Sequence, residues 1–158
     1  MRNFSIMAVI VGLSIMAQGR LPPAAIAHTG NVFAAGVPGD PTQPFRVINI
    51  EMREEGRAMS YVPDKIEVKA GEQIKFVVWN SGSEDHEFLL DSFANNAKHK
   101  IAMQKNPEME HDDPNGKRVG VQASAELLWK FTKRGRFEFA CLIPGHYEAG
   151  MKGTVVVK

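Results

Sequence analysis

The sequence has a single cysteine, Cys141, in 158 residues, so no internal disulfide can form. It also lacks a Cys-x-x-Cys pair, a glycine-rich phosphate loop and a Gly-x-Ser-x-Gly elbow. Those absences remove dithiol exchange, phosphate-cradling nucleotide sites and elbow-type serine hydrolysis. No internal repeat is present. Charge is nearly balanced, with 19 basic against 18 acidic residues, which gives no reason to expect nucleic acid or an acidic membrane surface as a partner. Long hydrophobic runs are scarce too. The apolar stretch from Ile6 to Ala17 is interrupted and too short for a membrane span.

What is present at the amino terminus is the pattern of an export signal. Arg2 precedes that apolar stretch, and Ala25-Ile26-Ala27 supplies small, spaced residues for processing. Residues 1–27 are expected to be an export signal, with an uncleaved amino-terminal anchor as the alternative. Removing Arg2 and Arg20 takes the basic count from 19 to 17 against 18 acids, so the mature chain carries a formal charge of −1. The expected product is periplasmic or otherwise exported, soluble after cleavage and without an integral span. In an oxidising compartment a lone thiol is a liability unless it is buried or occupied.

At 44% hydrophobic and 23% charged residues, the remainder is globular in composition and of a length for one domain. Residues 28–44 are rich in Gly, Pro and Ala without periodicity and are expected to form an irregular arm. The domain itself is expected over 45–158. Strands are expected at Phe45 to Arg53, Lys65 to Lys69, with Ile66 and Val68 on one face, and Ile74 to Trp79, a continuous apolar run suited to a central position. His86 to Leu90 is the next. Phe93, Ala97 and Ile101, with Ala94, Lys98 and Ala102, have helical spacing; Asp91 or Ser92 can cap the start, and Pro107 follows the end. The helix and the acidic, turn-rich stretch Glu108 to Lys117 make an insertion at about 91–117. Further strands are expected at Arg118 to Gln122, Ala125 to Phe131, Arg136 to Leu142 and Gly153 to Val157. Short strands at close intervals around one inserted helix predict an all-β antiparallel sandwich.

The chemistry is concentrated in Ala140 to Gly153, ACLIPGHYEAGMKG. Cys141, His146 and Met151 are each separated by four residues. Thiolate, imidazole and thioether are the soft donors of a copper site built for electron transfer, which also needs a second imidazole. The candidates are His28, His86, His99 and His111. His86 is favoured because it opens a strand, where rigid backbone can fix it. His99 falls mid-helix, His111 in an acidic loop, and His28 at the expected new terminus, where an amine beside an imidazole can also bind copper. Pro144, Gly145 and Gly150 let the loop fold back so that His146 and Met151 approach Cys141. A mononuclear site without an open equatorial position offers little for turnover, so the protein is not expected to be an enzyme. Leu142, Ile143, Pro144 and Tyr147 ring His146 and are either an apolar electron-transfer surface or ordinary loop packing. Met103, Met109 and His111, with His99, form a second soft-donor group that could capture Cu(I), with core packing of the methionines as the alternative.

These residues carry a family resemblance. From about Ile66 to Val157 the chain resembles the cupredoxins, small type 1 copper proteins that include azurin, pseudoazurin, plastocyanin and rusticyanin. The resemblance implies a Greek-key β-sandwich and one copper ion held by His86, Cys141, His146 and Met151. The Cys-to-His spacing is similar to azurin's; the His-to-Met spacing resembles rusticyanin's. NPEMEHDDPNG and ACLIPGHYEAGMKG further resemble exported cupredoxins associated with copper tolerance. One departure stands out: several cupredoxins follow the first histidine with Asn, whose side chain ties the ligand loops together, and here the residue is Glu87. The implied function is one-electron transfer, copper tolerance or both, with a cytochrome or other periplasmic redox or copper-handling protein as partner. The alternatives are copper sequestration without an electron-transfer partner, and a zinc-binding or metal-free structural sandwich.

Overall fold

The computed structural model describes residues 33–107 and 113–158. The expected export signal, His28, and both Met109 and His111 lie outside the described residues. In chain order the elements are β1 (Val37–Pro38), β2 (Arg46–Glu55), β3 (Ala58–Val62), β4 (Lys65–Val68), β5 (Gln73–Asn80), β6 (His86–Asp91), α1 (Phe93–Lys105), β7 (Gly116–Val119), β8 (Ser124–Lys130), β9 (Gly135–Ala140) and β10 (Lys152–Val157). One sheet has the order β1-β8-β5-β2-β3 and the other β4-β10-β9-β6-β7. This is the expected β-sandwich with one inserted helix. Most neighbours are antiparallel, and each sheet has one parallel pair, β2 with β5 and β4 with β10.

Alternation decides which face is buried. Ile66 and Val68 of β4 point inward and Glu67 outward. In β2 the inward set is Ile50 and Met52, while Val47 stays exposed. The apolar run of β5 occupies the middle of its sheet, as its composition predicts. Between the sheets Tyr61 sits edge-on to Phe88 and Phe139, with ring centroids 6.0 and 5.1 Å away, and Phe76 packs on Phe88 at 5.2 Å. Each such ring contributes roughly 1.5–3 kcal/mol by burial.

Three differences from the sequence reading have physical causes. β3 has no signal in the sequence, because only Tyr61 of its five residues is buried and no alternation marks it. β7 starts two residues and ends three residues earlier than the expected Arg118 to Gln122: Gly120 begins a turn closed by the Ala123 N–H on the Gly120 carbonyl, and Gln122 has φ +53°. The helix starts as predicted, with Ser92 Oγ accepting from Asn95 N–H at 3.1 Å, but its apolar stripe does not face the sheet. Phe93 and Ile101 are exposed, and the buried residues are Asn96 and Met103. Asn96 turns inward because the carbonyl and carboxylate of Glu138 on β9 accept its Nδ2 hydrogens, at 3.3 and 3.1 Å.

For the ligand loop, the ladders matter most. Ala140 is opposite Lys152 on β10 and Leu89 on β6. The loop from Cys141 to Met151 is therefore clamped at both ends, beside the strand that His86 begins.

Candidate metal centre

His86, Cys141 and His146 converge. One nitrogen or sulfur from each lies within 4.8 Å of the others, and all three residues are buried. His86 Nδ1 is 3.1 Å from His146 Nδ1, and Cys141 Sγ is 3.4 Å from His146 Nδ1. Both rings thus turn the same nitrogen toward the shared space.

The backbone explains the convergence. The Cys141 N–H donates to the Met151 carbonyl at 3.1 Å, extending the β9–β10 ladder by one bond. His146 N–H reaches back to Ile143 carbonyl, Ala149 to Gly145 and Met151 to His146, which folds the intervening residues into consecutive tight turns. Gly145 and Gly150 take φ of +95° and +108°, a region that residues with a Cβ occupy at a penalty. On the other side, Asn80 Nδ2 donates to the carbonyls of Glu84, Val119 and Gly120, fixing the 81–85 loop that delivers His86. Met151 has no exposed surface and belongs to the same core cluster as Cys141.

Burial favours the uncharged forms of the Cys141 sulfur and the His146 ring. Burial pushes the Cys141 thiol up to about 12, against the opposing pull of the Glu87 N–H, which donates to the sulfur at 3.3 Å. Burial, followed by the neighbouring His86, also lowers the His146 pKa and keeps that ring neutral, the form that ligates metals. The far nitrogens face carboxylates: His86 Nε2 lies 3.0 Å from Glu54 Oε1, and His146 Nε2 lies 3.3 Å from Glu84 Oε2. Glu54, held below the usual carboxylate range chiefly by the Ser83 hydroxyl, also accepts from the main-chain N–H of Ser83 and Glu84. One buried sulfur, two facing imidazole nitrogens and a buried methionine at the far end of the loop make a soft donor set that fits a copper ion.

The sequence matches the model for copper binding proteins of the plastocyanin/azurin family over residues 48–158. The chain belongs to the plastocyanin/azurin family. It is 46% identical over 123 residues to the copper-resistant cuproprotein CopI of Rubrivivax gelatinosus, spanning 78% of this chain and 73% of that protein. It is 35% identical over 179 residues to the copper-resistant cuproprotein CopI of Pseudomonas aeruginosa, spanning 95% and 93%. Auracyanin B superimposes with a TM-score of 0.62 over 80% of this chain and 96% of that one at 21% identity, which supports the shared sandwich.

The Glu87 departure has a definite outcome: Glu87 Oε2 accepts from the Leu142 N–H at 3.4 Å, so a carboxylate ties the β6 start to the loop that carries Cys141 and His146. Of the residues expected to ring His146, Pro144 is exposed, while Ile143 and Tyr147 are partly buried. Leu142 is not on the surface. It has no exposed area and packs with Leu89, Met103 and Ala140 in a second cluster under α1, because the end of β9 aims it into that layer. Tyr147 packs on this cluster, donates its hydroxyl to Glu138 Oε1 at 3.0 Å and is flanked by the ammonium groups of Lys100 and Lys152, each 4.4 Å from the ring centre. Of the second soft-donor group, Met103 is fully buried in the same cluster, and His99 lines a cavity of about 460 Å³ with Asp91, Asn95 and Asp113. Sequence reasoning did not identify Glu54 or Glu84. Glu84 lies two residues before His86, but Glu54 lies 32 residues away, and only the parallel pairing of β2 with β5 brings it near.

Proposed function

We propose that the chain is an exported type 1 copper protein that holds one copper ion through His86 Nδ1, Cys141 Sγ and His146 Nδ1, with the Met151 thioether as a weak fourth donor. The observation that carries this reading is the meeting of three buried donors from a strand start and an 11-residue loop within 4.8 Å. When bound, copper supplies a one-electron Cu(II)/Cu(I) couple. The chain's own part is to exclude water, hold both rings with one nitrogen toward the ligand side, and keep the donors in place through change of oxidation state. Burial of Cys141 and the Glu87 N–H serve the first and last of these. Among the described residues no helix is long and apolar enough to cross a membrane. Residues 1–27 are read as the export signal, and residues 45–158 as the copper-binding domain.

Two relatives carry copper resistance in their names, which favours copper tolerance as the cellular role, exercised through binding and oxidation-state control at the same ligands. A soluble redox or copper-handling protein, such as a cytochrome, is the partner this reading requires if electrons are relayed. Visible and paramagnetic-resonance spectra of the Cu(II)-loaded protein test the centre. An intense thiolate-to-copper band that disappears in Cys141→Ser is expected. A wild-type spectrum without that band would return the chain to a zinc-binding or metal-free sandwich. Copper sensitivity on deletion separates tolerance from simple electron carriage.

A further inference from the structure

Both imidazoles of the centre end in a carboxylate. Glu54 faces His86 Nε2 at 3.0 Å and Glu84 faces His146 Nε2 at 3.3 Å. A carboxylate can only accept here, so each contact requires a hydrogen on Nε2 and leaves Nδ1 to the ligand side. The two acids are themselves coupled. Glu54 Oε1 accepts the Glu84 N–H at 2.9 Å, and its Oε2 accepts the Ser83 hydroxyl at 2.6 Å. The 82–84 turn is thereby bolted to the end of β2, and no room is left at Gly82 for a side chain, since a Cβ there would collide with the Glu54 carboxylate.

We propose that Glu54 and Glu84 are positioning residues that lock both rings in the metal-ready tautomer and bias the centre toward the oxidised ion. The inference rests on the type 1 copper reading. An acceptor on Nε2–H increases electron density at Nδ1, and a nearby negative charge stabilises a doubly charged ion more than a singly charged one. The two groups differ in exposure in an instructive way. Glu54 is 16% exposed at the side chain and sits on a fully buried ring, whereas Glu84 is 58% exposed and covers the nearly buried edge of His146. Glu54 therefore controls the inner ligand, and Glu84 the ligand nearer the surface. A positive group at this corner, Arg118, is engaged by Asp85, the residue between Glu84 and His86. A further carboxylate, that of Glu87, accepts the Leu142 N–H next to Cys141, so four acids, counting Asp85, and one guanidinium lie around three ligands. The centre is built to retain Cu(II), as a tolerance protein that holds the ion in an oxidising compartment requires.

The test uses Glu54→Gln, which keeps an acceptor and removes the charge, Glu54→Leu, which removes both, and Glu84→Gln. Two readouts are taken: the ratio of Cu(II) to Cu(I) affinity, from the reduction potential, and hydrogen exchange of the imidazole Nε2–H protons in the Cu(I) protein, by nitrogen-15 resonance. Each Gln variant is expected to lower the affinity ratio about tenfold, equivalent to a rise of about 59 mV for one electron. Glu54→Leu is expected to speed exchange at His86 at least tenfold and by more than at His146, which keeps its own carboxylate, a selectivity that general loosening would not give. Affinity ratios within twofold of wild type in both Gln variants, or unaltered His86 exchange in Glu54→Leu, would overturn the inference. Glu54 also anchors the 82–84 turn, so if Glu54→Leu does not fold, the affinity ratios of the two Gln variants decide the matter. Absence of the thiolate-to-copper band in wild type defeats the copper reading itself and the inference with it; a normal band with unmoved ratios defeats the inference alone.

Discussion

The main-chain N–H of Glu87 donates to the sulfur of Cys141 at 3.3 Å, across two segments that share no ladder bond at that point. The β6–β9 register, in which Leu89 opposes Ala140, brings them together. Glu87 is fixed at two further points. Its carbonyl accepts the Tyr61 hydroxyl and its carboxylate accepts the Leu142 N–H. The residue beside the ligand sulfur is thus held from the opposite sheet as well as from its own.

Tyr61→Phe tests that hold. The ring packing on Phe88 and Phe139 is retained, and only the hydroxyl is lost. A buried carbonyl left without a partner costs about 1–3 kcal/mol. Denaturant unfolding of the metal-free protein is expected to show a loss in that range, with the midpoint falling and the slope unchanged. A loss near zero would mean that water or another donor replaces the hydroxyl.

Met151→Leu addresses the proposed fourth donor. The side chain is fully buried, and Met-to-Leu is close to volume-conserving, so the metal-free protein is expected to lose less than about 1.5 kcal/mol. Taking away a donor that assists the oxidised ion should raise the reduction potential while the thiolate-to-copper band persists. A potential equal to wild type would exclude the thioether as a ligand.

The sequence was most legible where one short segment carried its own signal. Cys141, His146 and Met151 are read from spacing alone, His86 from its place at a strand start, and the helix start from Ser92. It was least legible where a role depends on a distant partner. Phe93, Ala97 and Ile101 have the spacing of a buried stripe, yet Asn96 is the residue drawn inward, because acceptors on β9 wait for its amide. Leu142 reads in sequence as the end of a strand and as part of a surface around His146, and is core in space, since the end of β9 delivers it under α1. Glu54 falls just past the expected strand Phe45 to Arg53. Its place against His86 comes from parallel pairing of β2 and β5, which hydropathy does not encode.

Gly153 follows the ligand loop in β10 and faces the Phe139 ring. A Cβ there would fall inside the ring edge and come within 2.7 Å of the Asp64 carbonyl oxygen. The Asp64 carbonyl accepts the next N–H, that of Thr154, at 2.8 Å, so it is not free to retreat. Overpacking of this kind costs about 1–3 kcal/mol. Gly153→Ala is expected to lower the thermal midpoint, and repacking with Phe139→Leu should recover part of the loss. Independent, additive effects of the two changes in a double-mutant cycle would refute the contact.

Glu72 contributes to the loss of stability on acidification, at a point remote from the metal centre. It lies in the turn that carries the chain from β4 in one sheet to β5 in the other. Oε1 accepts from Arg46 Nε at 2.7 Å and Oε2 from the Lys69 N–H at 2.8 Å. Arg46 in turn donates through Nη2 to the Glu67 carbonyl at 2.9 Å, so the carboxylate fastens the crossover to β2. The bond from Arg46, before any other influence, holds the Glu72 carboxyl below its ordinary 4.5. A carboxyl depressed in the folded state contributes its full stability above the unfolded value and loses it as pH falls through the folded one. With both partners partly solvated, the contribution is about 0.5–1 kcal/mol. Glu72→Gln should therefore be less stable than wild type by that amount at pH 7, and the gap should close as the pH falls below the ordinary carboxyl value and through the depressed folded one. Unfolding free energies measured near neutrality and at about pH 3 decide it: a gap that stays constant or widens on acidification would show that the carboxylate's charge is not what holds the crossover.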